Sequence, residues 1–374
     1  MRRRTLLAGL GAAALSWEVQ ANQPADGLGF KPDPAFLEKA VALLNSHGAI
    51  DTHAHPGRTF SRSIASNAAA GEAAAFEATS VGDMRAGLVA ASSFAAVADV
   101  GVLKLTATGI VSDRDYAPGE AARLYHRQID DFHSVARKLA LPTIKTPADL
   151  ERCVGGALPG MIITVEGGDF LEGDAARLRA ARDQDDVRIV TLVHYRLNEL
   201  ADNQTSPPQY GGLSPAGSRV VKEMARLGVV IDMAHASEAA VMAAINQAGV
   251  PLLCSHTHIK TAAFDHPRFI SKDTARAIAD AGGVVGSWPS GLGGVTLSDF
   301  VDRIFALTEV VGPAHVALGT DMDANYRPTM TNYRQLPLVV SELLRRGYGE
   351  ANVAELVGGN FRKLFATCWQ ARKA

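Results

Sequence analysis

Six side chains able to bind a metal ion or carry a proton stand at the ends of apolar runs scattered along the chain. They are His53 and His55 in AIDTHAHP, Glu166 in MIITVEGG, His235 in VVIDMAHAS, His256 in LLCSHTH and Asp321 in VALGTDMD. Imidazole and carboxylate ligands without thiolates suit Zn²⁺, with Mn²⁺, Co²⁺ or Fe²⁺ admitted by geometry. His53 and His55, two residues apart just past a strand, share one side of the chain and can grip one ion. His235 and His256 lie one βα unit apart and can grip a second. Glu166 is followed by Gly167 and Gly168, which let backbone and ligand approach closely, so its carboxylate can bridge two ions. Two divalent ions about 3.5–4 Å apart lower the pKa of a shared water and polarise a carbonyl, the chemistry of hydrolysis. A single histidine at a strand end is more often a hydrogen-bonded structural residue than a ligand, so the reading rests on five candidates agreeing on one face. Asp51 and Asp232 read as orienters of the ligands or as turn residues. His258 competes with His256, which the strand end at Ser255-His256 favours, while His47, His126, His133, His266 and His315 read as structural.

Residues so far apart meet only if the fold brings strand ends together. The apolar runs predict strands at 48–52, 87–97, 161–167, 187–194, 229–235, 251–256, 282–288 and 315–321. Helices are expected at 34–46, about 117–140, from Pro215, and at about 237–247, 271–281 and 299–311. Over 117–140, Leu124, Ile129, Phe132, Val135 and Leu139 recur at helical spacing. Ser214-Pro215 opens the next helix as cap and first residue, Val220, Met224 and Leu227 form its buried stripe, and Gly228 ends it. Segment 22–40 reads as a lead-in arm and 57–83 as a long connection without a strong period. Strands alternating with helices imply a parallel sheet. Eight of them favour a (β/α)₈ TIM barrel, with the metal centre at the C-terminal ends of its strands; a doubly wound open sheet is the alternative.

Composition sets the class. The chain has 374 residues, 47% hydrophobic and 20% charged, with a formal net charge of −2 and no long basic block. That describes an ordinary globular protein and offers nucleic acid no electrostatic footprint. The first 21 residues, with three arginines, a short apolar stretch and Val19-Gln20-Ala21, read as a signal peptide of twin-arginine type. The apolar stretch is too short to span a bilayer. The expected product is therefore an exported, periplasmic, bacterial protein with no stable membrane span, and residues 22–374 form one barrel domain. Cys153, Cys254 and Cys368 are odd in number and show no CxxC, so at most one bridge can form within the chain. Cys254, inside an apolar run, reads as a core residue.

The order and spacing of AIDTHAHP, TVEGGDFL, TLVHYRLNELADN, GVVIDMAHAS, SHTH, HPRFISKD, LGTDMD and GGNFRKLF resemble the membrane dipeptidase (renal dipeptidase) family, over about residues 48–367. The resemblance implies a (β/α)₈ barrel with two zinc ions that hydrolyses dipeptides, often with a D-residue at the C-terminal position. It implies that His53 and His55 match the first-strand ligands, Glu166 the bridging carboxylate, and His235 and His256 the ligands of the other zinc. His194 matches a histidine that contacts substrate and the developing oxyanion, Arg268 the arginine that binds the substrate carboxylate, and Asp321 the acid/base aspartate. Two places depart from the family pattern. His55 stands where the family has aspartate, so the site has one negative charge fewer, and His-x-His is also the habit of the wider amidohydrolase superfamily. Gly-Asp-Phe-Asp-Gly becomes Gly319-Thr320-Asp321-Met322-Asp323-Ala324, with a flanking glycine displaced.

Three functions follow. The first is a metal-dependent dipeptidase acting on a small dipeptide-like substrate, with a homodimer admitted. The second is another amidohydrolase, acting on N-acyl amino acids, cyclic amides or lactones. The third is a non-catalytic periplasmic binding protein on a degenerate barrel, against which the retention of the whole residue set speaks.

Overall fold

Val- and Ile-rich runs buried on both faces need cover on both sides, and a closed parallel barrel supplies it, with side chains packed inside and helices outside. The computed structural model describes residues 27–64, 70–106, 109–262 and 264–372, and the signal-peptide reading of residues 1–21 lies outside them. β1 (Ala49–Asp51) and β2 (Val89–Val97) are followed by β3 (Leu103–Thr106) and β4 (Gly109–Ser112), which pair as an antiparallel hairpin. Then come β5 (Gly160–Glu166), β6 (Val187–Thr191), β7 (Val230–Asp232), β8 (Leu253–Thr257), β9 (Val284–Ser287) and β10 (Val316–Leu318). Without the hairpin, the parallel strands close in the order β1-β10-β9-β8-β7-β6-β5-β2, so the last barrel strand meets the first. This is the (β/α)₈ barrel expected from the sequence.

The helices between strands start and stop where their ends are satisfied. Ser214 caps Pro215–Leu227 by accepting from Gly217 N, and Gly228 closes it at φ 69°. Ser237 and Ser271 cap Glu238–Ala248 and Lys272–Asp280. Thr296 and Asp299 form a reciprocal capping box on Leu297–Val311.

The barrel interior is layered. Ile50, Ala91, Ile162, Ile189, Val230, Leu253, Val284 and Ala317, one from each strand, pack with Phe361, Leu364, Phe365 and Cys368 of the helix Asn360–Ala371. Two residues further along each strand, hence on the same face, stand Thr52, Ser93, Thr164, Thr191, Asp232, Ser255, Gly286 and Gly319. This layer is polar. Ser93 Oγ donates to Thr164 Oγ1 at 2.7 Å, and Thr52 Oγ1 reaches the carbonyls of Ser255 and Leu318 at 2.9 and 2.8 Å. A Cβ at Gly286 or Gly319 would lie 1.8 or 1.7 Å from the Ser255 carbonyl oxygen, so only glycine fits. Along β5 the sequence Ile162, Thr164, Glu166 steps from apolar plug through the polar layer to the site.

Three sequence expectations need correction. Segment 57–83 is not an open connection: a 3₁₀ turn, Pro56–Ile64, leads to the helix Ala70–Ala86. That helix turns Glu77, Ser80, Val81 and Met84 inward, and two of these four are polar. Thr59 donates to Glu77 at 3.2 Å and Ser80 to Asp323 at 2.7 Å, so the buried face carries no apolar stripe to read. The hairpin of β3 and β4 was not anticipated. The strands also stop short: β7 ends at Asp232 and β10 at Leu318, which leaves His235 and Asp321 on turns beyond them. Cys153, Cys254 and Cys368 are all free and buried.

Candidate metal centre

Two aspartates turn the chain at strand ends and so aim the candidate ligands. Asp51 Oδ1 accepts from His53 N at 3.2 Å and from Thr320 N at 2.9 Å, tying β1 to the loop after β10. Tyr333 donates its hydroxyl to Asp51 Oδ2 at 2.8 Å, and Thr320 Oγ1 donates to the same oxygen. Desolvation raises Asp51 to about 6. Asp232 plays the corresponding part on β7, accepting from Ala234 N at 3.1 Å and Ser255 N at 2.9 Å. Beyond these turns His235 and Asp321 adopt φ of 66° and 54°. Non-glycine residues rarely stay there, and such strain collects at sites of function.

All eight residues singled out in the sequence converge on one mouth of the barrel. Glu166 is the hub. Its Oε1 lies 3.2 Å from His53 Nε2, 3.0 Å from His235 Nε2 and 3.5 Å from His256 Nε2. Its Oε2 lies 3.4 Å from His55 Nε2 and 3.5 Å from His194 Nε2. His55 Nε2 is also 3.3 Å from Asp321 Oδ1. The rings of His53 and His256 stack at 4.0 Å, and the Nε2 atoms of His235 and His256 approach to 3.0 Å. Arg268 Nη2 lies 3.0 Å from His235 Nε2. His258 stands apart, edge-on to Phe269 at 5.2 Å, and burial with the nearby Arg303 charge takes it down to about 3. His315 Nδ1 contacts the Gly283 carbonyl at 2.8 Å, a structural place.

The electrostatics are those of ligands brought together. Burial would raise Glu166, yet the charges of His194 and His53 and hydrogen bonds from His235 and His53 hold it well below the usual carboxylate value. Burial holds His235 and His256 well below the usual imidazole value, helped by Arg268 and His194 for the first and by His53 and His235 for the second. Burial would also lower His55, but hydrogen bonds to Asp321 and Glu166 outweigh it and carry His55 up to about 10.

A divalent cation fits this donor set. Three overlapping groups, His53/Glu166/His256, His53/His55/Asp321 and Glu166/His194/His235, each bring ligand atoms within 4.8 Å of one another. Nδ1 of His53 and Nδ1 of His235 are buried without a hydrogen-bond partner. Buried nitrogens of this kind are costly unless something takes their lone pairs. His55 Nδ1 faces the Ala95 carbonyl at 3.0 Å, which places its proton there and leaves Nε2 as the ligating atom.

Beside the cluster sits a cationic wall. Arg268 is 2% exposed, with its Nη1 on Gln204 Oε1 and its Cζ 5.2 Å from the Trp288 ring centre. It also hydrogen-bonds the Tyr195 side chain. Its Nε has no partner, and among the described residues no carboxylate lies within ion-pair distance of it. His194 Nδ1 lies 2.7 Å from Asp99 Oδ1, while Asp99 Oδ2 accepts from the backbone of Tyr195 and Arg196 at 3.1 and 2.8 Å. Burial opposes a charge on His194, but Asp99 and Glu166 outweigh it and raise its pKa. Asp99, Gln204, Tyr195 and Trp288 were not found from sequence. Only Tyr195, next to His194, and Trp288, at the end of an apolar run, carried a signal that a barrel reading can use.

Comparison with known proteins follows the same lines. A family model for membrane dipeptidase (Peptidase family M19) matches residues 37–374. Dipeptidase aclJ of Aspergillus oryzae is 31% identical over 215 residues, covering 54% of this chain and 50% of that protein. Dipeptidase verJ of Clonostachys rogersoniana is 27% identical over 250 residues, 64% of each chain. The matches thus span about half to two thirds of these relatives. Among solved structures, a metallopeptidase from Rhodobacter sphaeroides, liganded with a phosphinate mimic of the dipeptide L-Ala-D-Ala, superposes with a TM-score of 0.73 at 19% identity. It covers 87% of this chain and 100% of that one, a likeness of fold. Among the described residues no helix is long and apolar enough to cross a membrane.

Proposed function

The chain belongs to the membrane dipeptidase family, and on that premise we propose that it hydrolyses the peptide bond of dipeptides, including those with a C-terminal D-residue, with two divalent ions, Zn²⁺ first among them. His53 and His55 would hold one ion and His235 and His256 the other, with the Glu166 carboxylate between the two pairs. Divalent ions held there would lower the pKa of a water and polarise the scissile carbonyl. Arg268 receives the substrate's terminal carboxylate through paired N–H donors. His194, oriented by Asp99, presents Nε2–H to the carbonyl oxygen as it becomes negative. Asp321, whose side chain is 13% exposed beside His55, takes the proton of the attacking water and returns it to the nitrogen as the C–N bond breaks. The twin-arginine pattern at Arg3-Arg4, followed by Thr5-Leu6-Leu7, supports export to a periplasm.

One observation carries the substrate class: a buried arginine without a carboxylate partner, 3.0 Å from a histidine of the cluster. A buried cation needs an anion, and a dipeptide brings one at its C-terminus. His55 in place of aspartate favours a second reading, an amidohydrolase for N-acyl amino acids, which carry the same carboxylate. A panel of Zn²⁺-supplemented assays on free dipeptides, N-acylated amino acids, cyclic amides and lactones separates the two. Dipeptides should be the best substrates, and faster turnover of acylated amino acids would replace the first reading with the second.

A further inference from the structure

His55 and His256 both have an Nδ1 with a partner, but the partners differ in kind. The carbonyl of Ala95 can only accept, so backbone alone fixes the His55 tautomer. His256 Nδ1 faces the Ser255 hydroxyl at 2.9 Å, and a hydroxyl can accept or donate. What decides is the next group in line. Ser255 Oγ lies 2.7 Å from Asp232 Oδ2, which also takes the Thr191 hydroxyl at 2.7 Å. Asp232 Oδ1 is occupied by the backbone N–H groups of Ala234 and Ser255. Every contact thus brings a donor to Asp232. Were Ser255 to turn its one proton toward His256, its 2.7 Å approach to Asp232 would set lone pair against lone pair. The proton therefore points at Asp232, the Ser255 lone pair accepts from His256 Nδ1–H, and Nε2 is left bare toward Glu166 and His235. Thr191, Asp232, Ser255 and His256 are all at most 1% exposed, so no water competes for these bonds.

We propose that Asp232 and Ser255 are positioning residues: together they hold His256 in the Nδ1–H tautomer and keep its Nε2 open as a metal ligand. The inference rests on the metal centre argued above and adds a control that reaches it from three adjacent strands, β6, β7 and β8. It also predicts a reversal. In Asp232→Asn the amide oxygen must face the two backbone N–H groups, because these cannot turn. The amide nitrogen then donates to Ser255 Oγ, the Ser255 proton swings to His256 Nδ1, and the ring's own proton moves to Nε2, against the metal. Ser255→Ala removes the acceptor without reversing the relay, and so is the milder change.

The test uses full-length protein with ¹⁵N-labelled histidine. In metal-free parent, the His256 signals, identified by their loss in His256→Gln, should show a pyrrole-type Nδ1 and a pyridine-type Nε2. Asp232→Asn should exchange them. Zn²⁺ titration against a competing chelator should show affinity for one ion falling by about 10–100-fold in Asp232→Asn, the usual effect of losing a ligand's outer partner, and by less in Ser255→Ala. A pyridine-type Nδ1 in the parent, or parent-like signals and affinity in folded Asp232→Asn, would overturn the relay. Affinity losses that follow the two variants' melting temperatures rather than their tautomers would also overturn it. A parent that binds no metal would instead defeat the metal reading, while the nitrogen signals still decide the relay.

Discussion

Replacing Arg268 by lysine keeps a positive charge and removes the fork. In the protein, both terminal nitrogens of Arg268 already have neighbours, Gln204 and the Nε2 of His235, and its Nε has none. A carboxylate arriving here gains charge-assisted hydrogen bonds, each worth about 1.5–3 kcal/mol. Lysine, a point charge on a flexible stem, forfeits about one of them. At about 1.4 kcal/mol per factor of ten, kcat/KM should fall about 10- to 150-fold. The bond is made equally in ground and transition state, so the change should appear in KM, with kcat near the parent value. Arg268→Ala strands the carboxylate in a dry site, for about 3–5 kcal/mol, or two to nearly four powers of ten. The decisive control is a dipeptide amidated at its C-terminus. The parent should lose roughly as much on that substrate as the alanine variant loses on the free acid, and the alanine variant should lose little more. Steady-state release of the free amine, with metal content measured on each preparation, gives all four corners. A parent that cleaves acid and amide within about threefold of each other, the size of a surface ion pair, would refute the anchor. So would an Arg268→Lys variant with an unchanged KM and a collapsed kcat.

Asp321→Asn should keep its metal and its melting temperature while kcat drops by about 10²–10⁴-fold; full turnover in the folded variant would send the proton through another group. His55, carried up to about 10 by Asp321 and Glu166, is protonated at neutral pH before an ion binds, and a ligating nitrogen must lose that proton. Metal affinity at this position should therefore rise about tenfold per pH unit up to about pH 10, with about one proton released per ion. Calorimetry in buffers of different ionisation enthalpy reads that proton, and His55→Asp should abolish its release. Gly319→Ala would put a methyl 1.7 Å from the Ser255 carbonyl oxygen, and should cost at least about 1–3 kcal/mol in a denaturant melt even though it alters no ligand.

The barrel was legible because buried parallel strands must be continuous apolar runs, and topology then gathers their ends without any pairwise signal. Strand ends were less legible. The runs through His235 and Asp321 continue in sequence, but Asp232 folds the chain back onto its own amides, and Thr320 brings the chain after β10 to Asp51, so pairing ends before apolarity does. The helix Ala70–Ala86 escaped for the opposite reason: Glu77 and Ser80 face inward to partners distant in sequence, and periodicity sees only apolar residues. Asp99 and Gln204 contribute through where a loop carries them, which residue type and spacing do not encode. His194 and Arg268 lie on comparable loops, and only the family pattern singled them out.

The plug of the barrel has a consequence for how the protein is made. Phe361, Leu364, Phe365 and Cys368 complete the apolar layer to which each barrel strand contributes one residue, and β10 is the partner that closes β1. Roughly 320 residues separate β1 from Cys368. At about 5–20 residues per second, a ribosome takes about 15–60 s to cover that distance. Until β10 emerges β1 has an open edge, and until Cys368 emerges the floor of the barrel faces solvent. Closure joins the most distant parts of the sequence, the slow kind of contact. The nascent chain is thus at its most adhesive just before β10 and the helix Asn360–Ala371 emerge, when nearly all strands exist and nothing yet seals them. Chaperones that cover emerging apolar surface would act on this window, and a ribosome pausing upstream of residue 360 would lengthen it.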